Sequence, residues 1–363
     1  MKLSLKCLLT NVLLISIIAT IFYAVPSLIT KQAVPKDFDE LQTICESGNH
    51  RILSRSLGVK PWTQHPRFRF PLDSVPIMTS SYNPTNTSLT VCTFFTLCRL
   101  ERFLAQIKAF DGPISAVVLA RSTRDVCNAL STISSAKYPH VTLDIVWGYS
   151  DILPINSIRN YVISNIKTSH YLWLDVDFIP SLGLSEVTLP REREAIIIPA
   201  FEQTEQFQNE TIPPTKEQLL VSLDLGHIGP FDQNLTVAHN LTRFDVWKNT
   251  KAQYETKFED YRNEPYLVVQ RGSTPPFDER FPYGYRNKMQ HSSHINILGF
   301  KLFVNPDHFV VHMWHPPTKE SRTLILFEQF NLSWDKLHKF HDKWEQQARK
   351  GLLHNSFDDY LKK

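Results

Sequence analysis

The stretch YLWLDVDFIP, residues 171–180, runs an apolar strand into two carboxylates separated by one residue. Alternation along an extended chain puts Asp175 and Asp177 on one side and Val176 on the other. Trp173 and Leu174 before the pair and Pro180 after it place both charges at a strand end, where burying them without a cation is costly. Parallel sheets bind ligands beyond the carboxyl ends of their strands. Two hard oxygen donors there suit Mn2+ or Mg2+, which bridges the phosphates of a nucleotide diphosphate while keeping water ligands. An isolated D-x-D is short and also ends ordinary strands in turns, so its setting has to carry the reading.

Working outward, β-branched runs alternate with helical patterns: SLTVCTFF (88–95), a helix over 98–110, ISAVVLAR (114–121), a helix over 123–136 and VTLDIVWG (141–148). Ile155, Ile158, Val162 and Ile166 share a helix face that leads into HYLWLD (170–175). Further strands are expected at AIIIPAF (195–201), YLVVQRG (266–272), FKLFVN (300–305) and HFVVHMW (308–314), with a terminal helix capped by Ser333. Residues 203–260 are polar and weakly patterned, and predict loops. The alternation predicts an α/β fold with a mainly parallel sheet flanked by helices.

The 363 residues carry 39 basic and 36 acidic side chains, a net charge of +3, without long like-charge blocks. That distribution has no nucleic-acid footprint. Cys7 to Val25 is free of charge over 19 residues and preceded by Lys2 and Lys6. It predicts a signal-anchor at 7–25, a cytoplasmic tail at 1–6, a stem at 26–85 and one lumenal domain at 86–363. The competing reading is a cleaved signal peptide ending near Ala24 to Ser27. Sequons at Asn86, Asn209, Asn234, Asn240 and Asn331 all follow the apolar run and agree with a secretory-pathway glycoprotein. In an oxidising compartment Cys45, Cys92, Cys98 and Cys127 allow one or two disulfides, with no CxxC pair to suggest zinc.

Together with GPIS (112–115), PINSIRN (154–160), YLWLDVDFIPSLGL (171–184), IIIPAFE (196–202), EPYLVVQR (264–271), FDERFPYGYRNK (277–288) and VVHMWHPP (310–317), the chain from Ser88 to Arg322 resembles glycosyltransferase family 49. The resemblance implies a GT-A fold of Rossmann-like type and inverting transfer from a UDP-sugar, UDP-glucuronate first among them, to a glycan acceptor on a glycoprotein. It also implies a Golgi type II membrane protein and leaves room for a homodimer.

The metal is then held by Asp175, Asp177 and His312, with His315 as second choice. Arg159 and Asn160 match the family's R-N pair, and an arginine fork there suits a diphosphate or a sugar carboxylate. Asp278 and Glu279 match an acidic pair and are the candidate bases for the acceptor hydroxyl, against salt bridges to Arg280 and Arg286. A base in related enzymes often follows the glycine turn, where this chain has Arg286, Asn287 and Lys288. VAHNLTRFDVW (237–247) keeps His239 and Trp247 but carries a sequon where the family has Pro-Thr-Asn. A different class of answer is a non-catalytic, lectin-like or chaperone-like Golgi protein on a retained GT-A fold. A metal-dependent phosphoesterase lacks the second ligand cluster of a two-metal site.

Overall fold

In the computed structural model the described residues are 74–78, 80, 89–120, 123–133, 137–147, 153–232, 237–281, 286–316 and 334–361. They form a mixed α/β structure around a nine-stranded sheet. Four strands make its first half: β2 (Leu89–Thr96), β3 (Ile114–Ala120), β4 (Val141–Trp147) and β5 (His170–Trp173). They pair in parallel in the order β4-β3-β2-β5. This is the half the β-branched runs foretell, and β3 is buried along its whole length.

Beyond β5 the direction changes. The order continues through β11 (Tyr266–Gln270), β7 (Glu194–Ile198), β12 (Lys301–Val304) and β10 (Tyr254–Thr256). Strand β11 is antiparallel to both neighbours, and β10 is antiparallel to β12. At the other edge β1 (Ser74–Met78), within 26–85, runs antiparallel to β4. The sheet is therefore mixed rather than mainly parallel, because β1, β10 and β11 enter it antiparallel to strands distant in sequence.

Two further departures from expectation have physical reasons. AIIIPAF is divided at Pro199, which has no N–H to offer a ladder. The residues before it stay in the large sheet as β7, and those after it become β8 (Ala200–Gln203) of a second sheet, β6-β13-β8-β9. Its other strands are β6 (Phe178–Pro180), β9 (Ile228–Pro230) and β13 (Val310–His312).

The segment 203–260 is not merely loops. It holds helices α4 (Lys216–Asp224) and α5 (Phe244–Asn249) besides β9 and β10. Lys216 joins them, its ammonium donating to the carbonyls of Trp247, Thr250 and Pro306 at 2.7–2.9 Å.

Apolar side chains alternate to two cores, one on each face of the large sheet. Helix α1 (Leu100–Ala109) sends Phe103, Leu104 and Ile107 into one, with Ile114, Ala116 and Val118 of β3; α2 (Thr123–Thr132) adds Val126. Helix α3 (Ile155–Ser164) sends Ile158, Val162 and Ile163 into the other, with Val117 and Leu119 of the same strand. Helices α6 (Met289–Ile297), α7 (Trp334–Arg349) and α8 (Phe357–Leu361) follow. Cys127 is disulfide-bonded, whereas Cys92 and Cys98 are free thiols. Among the described residues no helix is long and apolar enough to cross a membrane. The expected span at 7–25 lies outside them.

Candidate active site between the two sheets

The two carboxylates sit in the turn between β5 of the large sheet and β6 of the small one. The turn closes through Phe178 N–H donating to the Asp175 carbonyl at 3.1 Å. Gln106 of α1, fully buried, donates its amide to the carbonyls of Asp175 at 3.1 Å and Phe178 at 3.0 Å. A buried carbonyl needs such a donor, and one side chain here serves two.

The aspartates face different surroundings. Asp175 Oδ2 accepts from Tyr266 Oη at 2.9 Å and from Lys288 Nζ at 3.0 Å, and Lys288 also lies 3.6 Å from Glu264. Burial alone would raise the Asp175 carboxyl, but the charges of Lys288 and Arg159 and the two hydrogen bonds hold it well below the usual carboxylate range. Asp177 Oδ1 instead meets Arg99 at 3.0 Å and Arg102 at 3.3 Å.

Strand β13 runs antiparallel to β6 with His312 opposite Phe178, which brings the end of HFVVHMW beside Asp177. Met313 N–H donates to the Asp177 carbonyl at 2.8 Å. Donor atoms of Asp177, His312 and His315 lie within 4.8 Å of one another. His315 Nε2 is 3.5 Å from Asp177 Oδ2, the oxygen the arginines leave to the imidazoles. The His312 ring lies 5.1 Å from Phe178 and 5.2 Å from Phe231, and burial pushes its pKa down to about 4 against the pull of Asp177. It is thus a neutral nitrogen donor at pH 7. One carboxylate oxygen with imidazole nitrogens is a donor set that suits a first-row divalent cation, and the residues fit one. Both histidines, rather than His312 alone, take part in this cluster, and Asp175 does not.

Arg159 is buried, 1% exposed, and donates to Asn156 Oδ1 at 2.8 Å and Asn287 Oδ1 at 2.7 Å. Its guanidinium lies over Trp173 and Phe277 at 5.4 and 5.1 Å, and its charge acts on Asp175. Asn160 pairs with the Phe277 backbone as a strand would, accepting its N–H at 2.9 Å and donating to its carbonyl at 2.8 Å. Its amide also donates to Glu279 at 3.1 Å, and Tyr360 donates to the same oxygen. Asp278 is gripped by Arg280 at 2.6 Å and by the Trp344 indole at 3.0 Å. None of these contacts joins Asp278 or Glu279 to Asp177, His312 or His315.

The residues that sequence reading left without a role are Arg99, Arg102, Gln106, Glu264, Tyr266 and Lys288. A signal existed for three of them: positions 99, 102 and 106 recur at spacings of three and four, on the face opposite Glu101 and Lys108, in a helical segment that follows a buried strand.

A family model described as glycosyl-transferase for dystroglycan matches residues 146–324, which include both aspartates, Lys288 and both histidines. Over those residues the chain is of glycosyltransferase family 49 type. The xylosyl- and glucuronyltransferase LARGE2s of Danio rerio is 29% identical over 254 residues, covering 65% of this chain and 33% of the relative. The glycosyltransferase-like protein gnt14 of Dictyostelium discoideum is 30% identical over 247 residues, 64% of this chain and 38% of that one. The chain thus spans about a third of the length of these relatives. A solved structure of GalNAc-T7 with UDP, GalNAc and Mn2+ has a TM-score of 0.43 and 11% identity over 78% of this chain and 57% of that one. That likeness is too distant to bear on the site.

Proposed function

We propose that the chain is a metal-dependent inverting glycosyltransferase of GT-A type that moves a sugar, glucuronic acid first among the candidates, from a UDP-sugar to a glycan on a glycoprotein. The observation that carries this reading is the cluster of Asp177, His312 and His315 beside the Asp175–Lys288 pair, inside the stretch of family 49 type. In this reading Asp177, His312 and His315 hold Mn2+ or Mg2+, which when bound neutralises charge on the departing diphosphate. Lys288 places an ammonium beside the cluster for a phosphate or a sugar carboxylate, and Asp175 with Tyr266 fixes its position. Arg159 sets the charge at Asp175 and anchors the 287–288 segment through Asn287.

For the base that takes the acceptor proton the candidates are Glu279 and Asp278. Glu279 accepts from Asn160 and Tyr360, and both Asp278 oxygens are occupied by a guanidinium and one also by an indole.

The cellular setting proposed is the Golgi membrane, type II, with the domain lumenal. Asn209 and Asn240 are exposed, which is what carrying glycans requires. A glycosidase that removes N-glycans should lower the apparent mass of the cellular protein, and an unshifted band in a cytosolic fraction contradicts this placement.

The activity is tested by incubating the purified full chain with a panel of UDP-sugars and Mn2+ and measuring UDP release. Release from one UDP-sugar, UDP-glucuronate by this reading, supports the proposal. No release from any, with a folded and metal-binding protein, favours a lectin-like or chaperone-like role.

A further inference from the structure

We infer that Arg102 is a positioning residue that builds the cation site by holding a kink in the chain between His312 and His315. The inference rests on the reading of Asp177, His312 and His315 as a cation site. Arg102 lies outside the family-matched residues 146–324.

Along an extended chain side chains alternate, so positions 312 and 315, three apart, point to opposite faces. Yet donor atoms of both lie within 4.8 Å of each other and of Asp177. The chain must therefore leave strand geometry between them, and β13 does end at His312.

What stabilises the departure is one guanidinium. Arg102 donates from Nη1 to the Met313 carbonyl at 2.9 Å and from Nη2 to the Trp314 carbonyl at 3.0 Å. Successive carbonyls of a regular strand point to opposite edges, so their meeting at one side chain is itself the kink. The third nitrogen, Nε, is 3.3 Å from Asp177 Oδ1. The planar fork thus ties the peptides that link the two histidines to the carboxylate they face. A lysine, with one compact ammonium, cannot span the three acceptors in the same geometry.

The opposite expectation is clear, which makes the idea testable. A cation next to a metal site repels the metal, so by charge alone removing Arg102 should tighten binding. Positioning predicts the reverse. The experiment is calorimetric titration of Mn2+ into the full chain and into Arg102→Gln, Arg102→Lys and Arg99→Gln, each with its melting temperature in EDTA. Arg99 contacts the same Asp177 oxygen at 3.0 Å and His315 Nδ1 at 3.4 Å but does not touch the 313 and 314 carbonyls, so it separates contact with the ligands from the holding of the kink.

The expected result is a 10- to 100-fold loss of Mn2+ affinity in Arg102→Gln. Arg102→Lys should recover little of it, and Arg99→Gln should lose less affinity than Arg102→Gln. Unchanged or tighter binding by a folded Arg102→Gln, with the wild-type protein binding Mn2+, overturns the positioning role and leaves the cation site standing. If Arg102→Gln does not fold, full-strength binding by Arg102→Lys overturns it equally. Absence of Mn2+ binding by the wild-type protein overturns the cation site and this inference together.

Discussion

At the scale of single residues, two aspartates one residue apart do different work. Asp175 is held by Tyr266 and Lys288, and Asp177 faces the histidines and arginines. His312→Ala and His315→Ala should each raise the Mn2+ concentration for half-saturation at least about tenfold, or about 1.4 kcal/mol, with no change in the melting temperature in EDTA. Titration of the two variants checks this, and a shift in only one assigns the ligand to that one.

Lys288→Met leaves Asp175 without its cation. Since the pair is partly exposed, the loss should fall below that of a fully buried pair, about 2 kcal/mol at pH 7 by urea denaturation. The sign with pH follows from the carboxyl's depressed position: Asp175 stabilises the fold above the ordinary value of 3.8 and loses this as pH falls. In the variant the carboxyl escapes its burial by protonating, so the deficit should shrink between pH 6 and pH 3. Asp177 and His312 were legible in the sequence because a D-x-D after a buried strand and a histidine ending another are distinctive. Lys288 was not, because a lone cation on a loop reads as solvated until the fold sets it against the carboxylate of the β5–β6 turn, and Arg102 was legible only as one member of a polar stripe whose partner the sequence does not name.

At the scale of elements, the site depends on where strands stop. β5 ends before Asp175, β6 begins after Asp177, and Gln106 holds the turn between them. Gln106→Leu keeps the volume but removes one donor from each of two carbonyls, leaving that of Asp175 with the Phe178 N–H. A loss of about 1–3 kcal/mol in thermal stability is expected, together with weaker Mn2+ binding as the turn relaxes. An unchanged melting temperature would show that the turn stands without it.

The parallel half of the sheet was legible because its strands are continuous β-branched runs. The second half was not. Pro199 lies inside one apolar run yet divides it between two sheets, and α4 buries Leu219 while exposing Val221, so no apolar stripe marks it as a helix.

At the scale of the molecule, two cores sandwich one mixed sheet, and several histidines are enclosed in neutral form. His239 and His291 are both 6% exposed and burial pushes each down to about 3, with His312 at about 4. A histidine whose folded value is depressed costs stability as pH falls below its unfolded value of 6.5, because the unfolded chain then binds the extra proton. The urea midpoint should therefore fall from pH 7 to pH 5, by up to about 1.4 kcal/mol per pH unit for each such histidine. A midpoint independent of pH across that range contradicts the burial of these rings.

The central claim is that this molecule binds a nucleotide diphosphate through a divalent cation. Its most direct test is calorimetry of UDP binding to the full chain in Mn2+ and in EDTA. Carboxylates and a diphosphate repel one another without a cation between them, so the affinity in Mn2+ should exceed that in EDTA by well over tenfold, more than about 1.4 kcal/mol. Equal affinity in the two buffers would contradict the claim.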